Sequence, residues 1–478
     1  MNDPVVIGFI VYLVVVLVVG SLTLRLTKSL ADYLLAGRKL GPWLVAFSER
    51  ASGESAWLLI GLPGVALMAG FGAIWPAIGC TFGIFVSWTF VARKLREQTE
   101  AHDCITLPRF FEKRFGDDTH LLRWVSTVII VFFFTLYVAA QFLGAGKVLN
   151  AAFGMTPLQG MLLGSVIILF YTIMGGFYAV VWTDFFQGLI MVCTLGVLPI
   201  AGLISLGGVG ALTTKLNAVD PNLLGLGGED STTLMDTILY AIGGLGIGLG
   251  YVGQPHLLAR FMAIRQSSDL RKGSLIATFW ALIAFYGAVG VGLVGLAMIG
   301  QGIEDSEQIM PLVANALMPG AIVGVMISGA IAAMMSTADS QLLVTTSAVT
   351  EDIYHGLINK EAPQKRLVLI SRTVTVIVGL VGLVLALTGE ELVYDLVLYA
   401  WGGLGAAFGP AMLFTLWSKR ANKNAIVAGM LTGAISVIVW KNVPVLANFV
   451  YELVPGFLLA TIVIWVVSRV SRTAEPLG

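Results

Sequence analysis

The sequence predicts an all-α integral membrane protein of about 13 transmembrane helices, ten of them arranged as two inverted repeats of five. Three observations predict it. Of 478 residues, 57% are hydrophobic and 12% are charged, about half the charged share of a soluble domain. The charged residues gather in loops that alternate in sign. Two spans, five apart in order, carry residues that a regular membrane helix excludes.

A bilayer core takes about 20 apolar residues per helix. Candidate spans fall at 4–26, 42–70, 72–92, 121–150, 157–176, 183–205, 234–264, 272–300, 318–354, 366–387, 391–417, 424–441 and 449–470. The first apolar run, Val5 to Leu24, is too long for a signal-peptide core and lacks a small-residue cleavage site after it, so it reads as a retained span. Spans longer than a bilayer requires must tilt, break or continue past it.

One set of loops is basic: Arg25, Lys28, Arg38 and Lys39; Arg93, Lys94, Arg96, Arg109, Lys113 and Arg114; Arg260, Arg265, Arg271 and Lys272; Lys360, Lys365 and Arg366; Lys419, Arg420 and Lys423. The intervening loops are acidic, as at Asp220, Glu229 and Asp230, or Glu304, Asp305 and Glu307. The positive-inside rule then puts the N-terminus outside and the C-terminus, with Arg469 and Arg472, inside. An odd number of spans satisfies that orientation. Lys+Arg and Asp+Glu balance at 28 each, which points away from nucleic acid. Cys80, Cys104 and Cys193 are scattered, as are the four histidines, without metal-ligand spacing.

The second span reads Ser48-Glu49-Arg50-Ala51-Ser52-Gly53-Glu54-Ser55-Ala56-Trp57, with three ionisable residues at about mid-membrane. The seventh carries six glycines and a proline between Gly243 and Pro255. In a helix interior Gly costs about 1 kcal/mol and Pro about 3 relative to Ala. Irregular backbone at membrane depth persists where it lines a cavity or is buried in protein. Breaks at matching positions of two halves indicate an inverted-repeat transporter with its ions and solute at the breaks. For the seventh span, glycine-mediated helix packing is the alternative.

The repeats are then residues 42–205 and 234–417 of a single transmembrane domain, with 1–30 and 424–470 peripheral. A channel needs a continuous pore, an enzyme a nucleophile–base or metal set, and a sensor an output domain. The sequence displays none of these, so a secondary transporter leads.

Span nine presents Ser336, Asp339 and Ser340 on one helical face, at i, i+3 and i+4, with Thr337 beside them. Hydroxyls and carboxylates are hard oxygen ligands, suited to Na⁺. Asp184, opening span six, is a second acid that can face them, or a helix cap. Two buried carboxylates close together repel, and a cation between them lets both stay ionised. Arg50 and Glu54, at i and i+4, form an internal ion pair, or else Arg50 meets a solute carboxylate and Glu54 the solute.

Further segments give the chain a resemblance. They are Asp32-Tyr33-Leu34-Leu35-Ala36-Gly37-Arg38 with Leu40-Gly41-Pro42, Trp57 to Gly64, Gly175-Gly176-Phe177 with Trp182-Thr183-Asp184, and Gly253-Gln254-Pro255-His256 with Ala259-Arg260-Phe261-Met262. Met335-Ser336-Thr337, Thr350 to Tyr354 and Tyr399 to Gly402 complete them. With these the chain resembles the sodium/solute symporter family, most closely its bacterial sodium/proline symporters, over nearly its whole length.

The resemblance implies a LeuT-type 5+5 inverted-repeat fold in the cell membrane and import of a small solute with Na⁺ by alternating access. That solute is proline or a related amino acid, or alternatively another carboxylate or nitrogenous solute. It implies a common sodium site on Ala51, Glu54, Ala333, Ser336 and Thr337, and a second on Asp184, Ser336, Asp339 and Ser340. The substrate would meet Ser52, Gly53, Ser55, Trp57, Tyr137, Gln141, Ile247, Tyr251 and Pro255. Two positions depart from the proline carriers, which have an acid where this chain has Gly53 and a tryptophan where it has Ile247. The partners expected are Na⁺, the solute and membrane lipid, with a monomer sufficient for transport.

Overall fold

Apolar helices that leave no backbone group unpaired are what this composition can build in lipid, and the chain is helical accordingly. A computed structural model describes residues 3–23, 35–174, 176–228, 231–300, 302–389 and 392–471. Asp32, Tyr33, Leu34 and Gly175 of the family segments lie outside the described residues, as do Arg25, Lys28, Glu229, Asp230 and Arg472 of the charge pattern.

The helices used below are α1 Asp3–Thr23, α2 Pro42–Ala56, α3 Leu62–Ala69, α4 Ile74–Val86, α5 Leu121–Phe153, α6 Pro157–Met174 and α7 Phe177–Leu206. They continue as α8 Leu234–Gly246, α9 Pro255–Ala263, α10 Leu270–Ile299 and α11 Gly320–Ser347. The last are α12 Gln364–Thr388, α13 Val393–Trp417, α14 Lys423–Asn442 and α15 Leu453–Val470.

Among the described residues, 11 helices are long and apolar enough to cross a membrane. One of these is the run Pro42–Ala101, of 60 residues, far more than one crossing takes at about 1.5 Å per residue. It reverses near Gly70, whose φ of 59° suits a residue without Cβ. Trp88 thereby returns to the depth of Glu49 and donates to its carboxylate at 3.0 Å.

Both expected breaks are present. Pro42 opens α2 at its first turn, where its missing N–H costs nothing. The helix loses its path at Ser55 (φ 33°, ψ −167°) and resumes through the π-helical stretch Trp57–Gly61. In the second half, α8 gives way to the 3₁₀ stretch Ile247–Val252, Gln254 is extended, and Pro255 opens α9. The glycine run also packs closely. A Cβ on Gly79 of α4 would lie 2.6 Å from Leu245 Cα, and one on Gly248 would overlap the Gly79 carbonyl. Break and close packing hold together, because only a bare backbone lets the two segments touch.

The broken helix α2 is packed among α7, α9, α10 and α11, while α1 lies outside against α7 and α11. The two ends of the bundle differ. At one, Asp236, Glu307 and Asp395 line a cavity of about 570 Å³ with Gly61, Ile247 and Tyr394. The other is basic and closed. There Arg38 donates to the carbonyls of Thr99 at 3.0 Å, Cys104 at 2.6 Å and Met262 at 3.2 Å. Leu40 and Ile264 form a parallel bridge, and Arg96 donates to the Ile264 carbonyl at 2.7 Å.

Candidate ion and substrate site

A helix that stops inside the bundle leaves carbonyls without their i+4 donors. At the end of α2 those of Ala51 and Ser52 are met from α11. Ser336 Oγ donates to Ala51 O at 2.9 Å and lies 3.1 Å from Ala333 O, while Thr337 Oγ1 donates to Ser52 O at 3.0 Å. Of the five positions expected to hold the common ion, Ser336 thus stands within hydrogen-bond reach of the carbonyls of two others, Ala51 and Ala333. Thr337 is bonded one carbonyl along, and the Glu54 carbonyl accepts the Trp57 N–H. All these side chains are buried.

Beside this group, Asp184 Oδ2 accepts from Ser48 Oγ at 2.6 Å and Ser52 Oγ at 3.0 Å. Ser52 Oγ lies 2.9 Å from Ser340 Oγ, which donates to Asp339 Oδ1 at 3.1 Å. The structure therefore links Asp184, Ser340 and Asp339 through Ser52. Ser52, expected in the substrate pocket, turns its hydroxyl into this acidic group instead. Arg260 is the residue that sequence reasoning misplaced. Grouped with the basic loop of Arg265, Arg271 and Lys272, it is fully buried, with its guanidinium among Ser52, Asp184 and Ser340. The signal that could have found it is the apolar run Phe261-Met262-Ala263-Ile264 beyond it.

Arg50 and Glu54, whose roles the sequence leaves open, are paired within α2. The Arg50 guanidinium is bonded to both Glu49 and Glu54, with its centre 5.2 Å from the Tyr251 ring. The Tyr251 hydroxyl donates to Glu54 at 3.1 Å. Arg50 is thereby taken up inside the protein. A Cβ on Gly53 would stand 3.7 Å from Arg50 Nη2 and 3.3 Å from Leu257. The guanidinium that these carboxylates brace thus lies beside Gly53, one of the two positions where the sequence is expected to depart from the proline carriers.

Around the break at Ser55, the freed N–H of Ala56 donates to Gln141 Oε1 at 3.0 Å, and the Tyr137 hydroxyl is 3.4 Å from Ser55 Oγ. Trp57 packs edge-on to Tyr394, 6.1 Å between centroids, and Ile247 gives its carbonyl to Trp401 Nε1 at 3.0 Å. Ser55, Tyr137 and Gln141 are so brought together, while the Trp57 ring packs on Phe285 and Tyr394. Ile247 lines the acidic-end cavity, and Pro255 lines a separate cavity of about 30 Å³ with Thr106 and Asp352.

This arrangement, with one discontinuous helix in each half and hydroxyls from α11 on the first, has counterparts. The sequence pattern of the Sodium:solute symporter family matches residues 33–433. The chain belongs to that family. Relatives include the osmoregulated proline transporter OpuE of Bacillus subtilis, 38% identical over 99% of this chain and 96% of the relative. The high-affinity proline transporter PutP of the same organism is 39% identical over 95% and 96%. The sodium/proline symporter of Escherichia coli is 38% identical over 98% and 94%.

Among solved structures, that of a Na⁺-coupled sialic acid symporter in a substrate-bound outward-open state superposes with a TM-score of 0.83 at 19% identity, covering 99% of both chains. MhsT in complex with L-phenylalanine gives 0.55 at 16% identity, over 89% of this chain and 97% of that one. These neighbours share the LeuT-type fold. As a member of the family the chain is a sodium-coupled membrane symporter, and its work is transport rather than catalysis.

Proposed function

We propose that this symporter imports proline, or an amino acid closely related to it, with its N-terminus outside and about 13 transmembrane helices. Residues 42–205 and 234–417 would form the two repeats. The observation that carries the reading is the facing pair at the first break: the freed carbonyls of Ala51 and Ser52 against the hydroxyls of Ser336 and Thr337. Ala51, Glu54, Ala333, Ser336 and Thr337 would hold Na⁺ as hard oxygen donors, with the Ala51 and Glu54 carbonyls supplied by the break and the Ala333 carbonyl by α11. The solute would lie next to it, against Gly53, Ser55, Trp57, Tyr137, Gln141, Ile247 and Tyr251.

An amino-acid carboxylate suits a helix N-terminus, where unbonded N–H groups and the dipole favour anions. The Ala56 N–H beside the ion site would become such a donor by exchanging its bond to Gln141 Oε1, 3.0 Å away, for one to the solute. Support for proline comes from relatives that carry its name over nearly the whole chain. The Glu49–Arg50–Glu54 group beside Gly53 favours a second reading, a different carboxylate or nitrogenous solute. Uptake into proteoliposomes with and without a Na⁺ gradient, over a panel of amino acids, sugars and nucleobases, decides. Na⁺-driven proline uptake upholds the proposal; uptake of sugars or uncharged bases alone rejects it.

A further inference from the structure

Two buried carboxylates in one cluster require positive charge beside them. The sequence assigns that charge to a second Na⁺ at Asp184, Ser336, Asp339 and Ser340. Around Asp184 the folded chain brings up a cation of its own. Arg260 Nη2 lies 2.8 Å from Ser52 Oγ and 3.2 Å from Asp184 Oδ2, and it bonds Ser340 Oγ. The remaining donors are also placed: Nε on Ser48 Oγ at 3.2 Å and Nη1 on the His256 carbonyl at 2.7 Å. The group is fully buried, with its centre 5.3 Å from the Phe177 ring.

Resting on the function proposed above, we infer that Arg260 is a tethered counter-cation that fills the second ion position, so that each cycle carries one Na⁺, at the common site. The donor set is the reason. Asp184 and Ser340 are two of the four side chains the second ion was expected to use, and both already receive Arg260. Ser336, a third, is turned to the Ala51 carbonyl. A guanidinium carries its charge at every relevant pH and is fixed to the chain, so no external Na⁺ concentration governs its occupancy. Na⁺ entering the same oxygens would meet a like charge with little water to screen it.

The cluster could nevertheless take Na⁺ once the guanidinium is gone. Asp184 Oδ1 and Asp339 Oδ2 are buried and, among the described residues, accept no hydrogen bond. They remain available as ligands, together with the oxygens that Arg260 would release.

The test is a count of isotopic Na⁺ bound at equilibrium to the purified full-length chain, backed by the charge moved per solute in proteoliposomes. Wild type should bind one Na⁺ per chain and move one charge per neutral solute. Arg260→Lys, which keeps a cation there, should stay at one, and Arg260→Gln should rise to two. Two ions on wild type, or one on a folded Arg260→Gln, would overturn the inference. If Arg260→Gln fails to fold, the wild-type and Arg260→Lys counts decide it. Two ions on the wild type would leave the common-site reading standing, whereas none would remove both.

Discussion

Ser336 shows how little chemistry separates a helix contact from an ion site. Its hydroxyl spans the carbonyls of Ala51 and Ala333 at 2.9 and 3.1 Å, so Ser336→Ala removes one oxygen ligand and strands another. Losing such a partner costs about 1–3 kcal/mol, so the Na⁺ concentration for half-maximal uptake should rise about 5- to 150-fold. Thr337→Ala should act in the same direction, and Thr337→Ser should restore the wild-type value. Uptake measured against Na⁺ concentration checks this, and unchanged dependence in both alanine variants would remove the common site. At Ile247, on the wall of the acidic-end cavity, replacement by Trp should shift the ranking of proline against other amino acids in a competition assay. An unaltered ranking would take Ile247 out of the pocket. The acids and hydroxyls were legible because charge at membrane depth is rare and hence conspicuous. Arg260 was not, since its neighbours in sequence form a basic loop. Only the inward turn of α9, a helix of nine residues, separates Arg260 from Arg265.

At the scale of elements, the positions of both breaks could be read from composition, but not the residue that bends. Gly53 is the natural candidate in α2, yet the left-handed backbone falls on Ser55, at a cost of about 1–3 kcal/mol. Tyr137 and Gln141 on α5, both near Ser55, compensate through contacts invisible to local sequence. The glycines of the second break were legible as a pair of alternatives, and the structure uses both. A side chain on Gly248 would meet the backbone of Gly79, which has no flexible end to move aside. Gly248→Val should therefore lower thermal stability in detergent by about 1–3 kcal/mol, the usual range for overpacking. The control is Gly210→Ala, where nothing lies within 4 Å of the added Cβ and the melting temperature should hold or rise. Equal melting in the two variants would mean that α4 and the 3₁₀ stretch do not touch.

For the whole molecule, the contrast between an open acidic mouth and a closed basic one has its own test. Burial pushes the Cys104 thiol up to about 11, against the pull of Lys113, Arg109 and Arg38. Little thiolate is then present at neutral pH, and maleimide should react slowly. Arg38 helps hold that cover shut through the Cys104 carbonyl. In a Cys193→Ser background, Arg38→Ala should speed labelling of Cys104, because opening the cover relieves the burial that dominates the thiol's shift and outweighs the lost pull of Arg38 itself. An unchanged rate would show that Arg38 does not close this mouth. The two fastenings here also differ in what sequence drift can do to them. Truncating Arg38 deletes its side-chain bonds, so the strength of that fastening hangs on one side chain. The Leu40–Ile264 bridge is made of main-chain bonds, Leu40 N to Ala263 O and Arg265 N to Leu40 O. Every residue but proline can make those bonds, so the seal itself tolerates side-chain replacement while its tightness depends on Arg38.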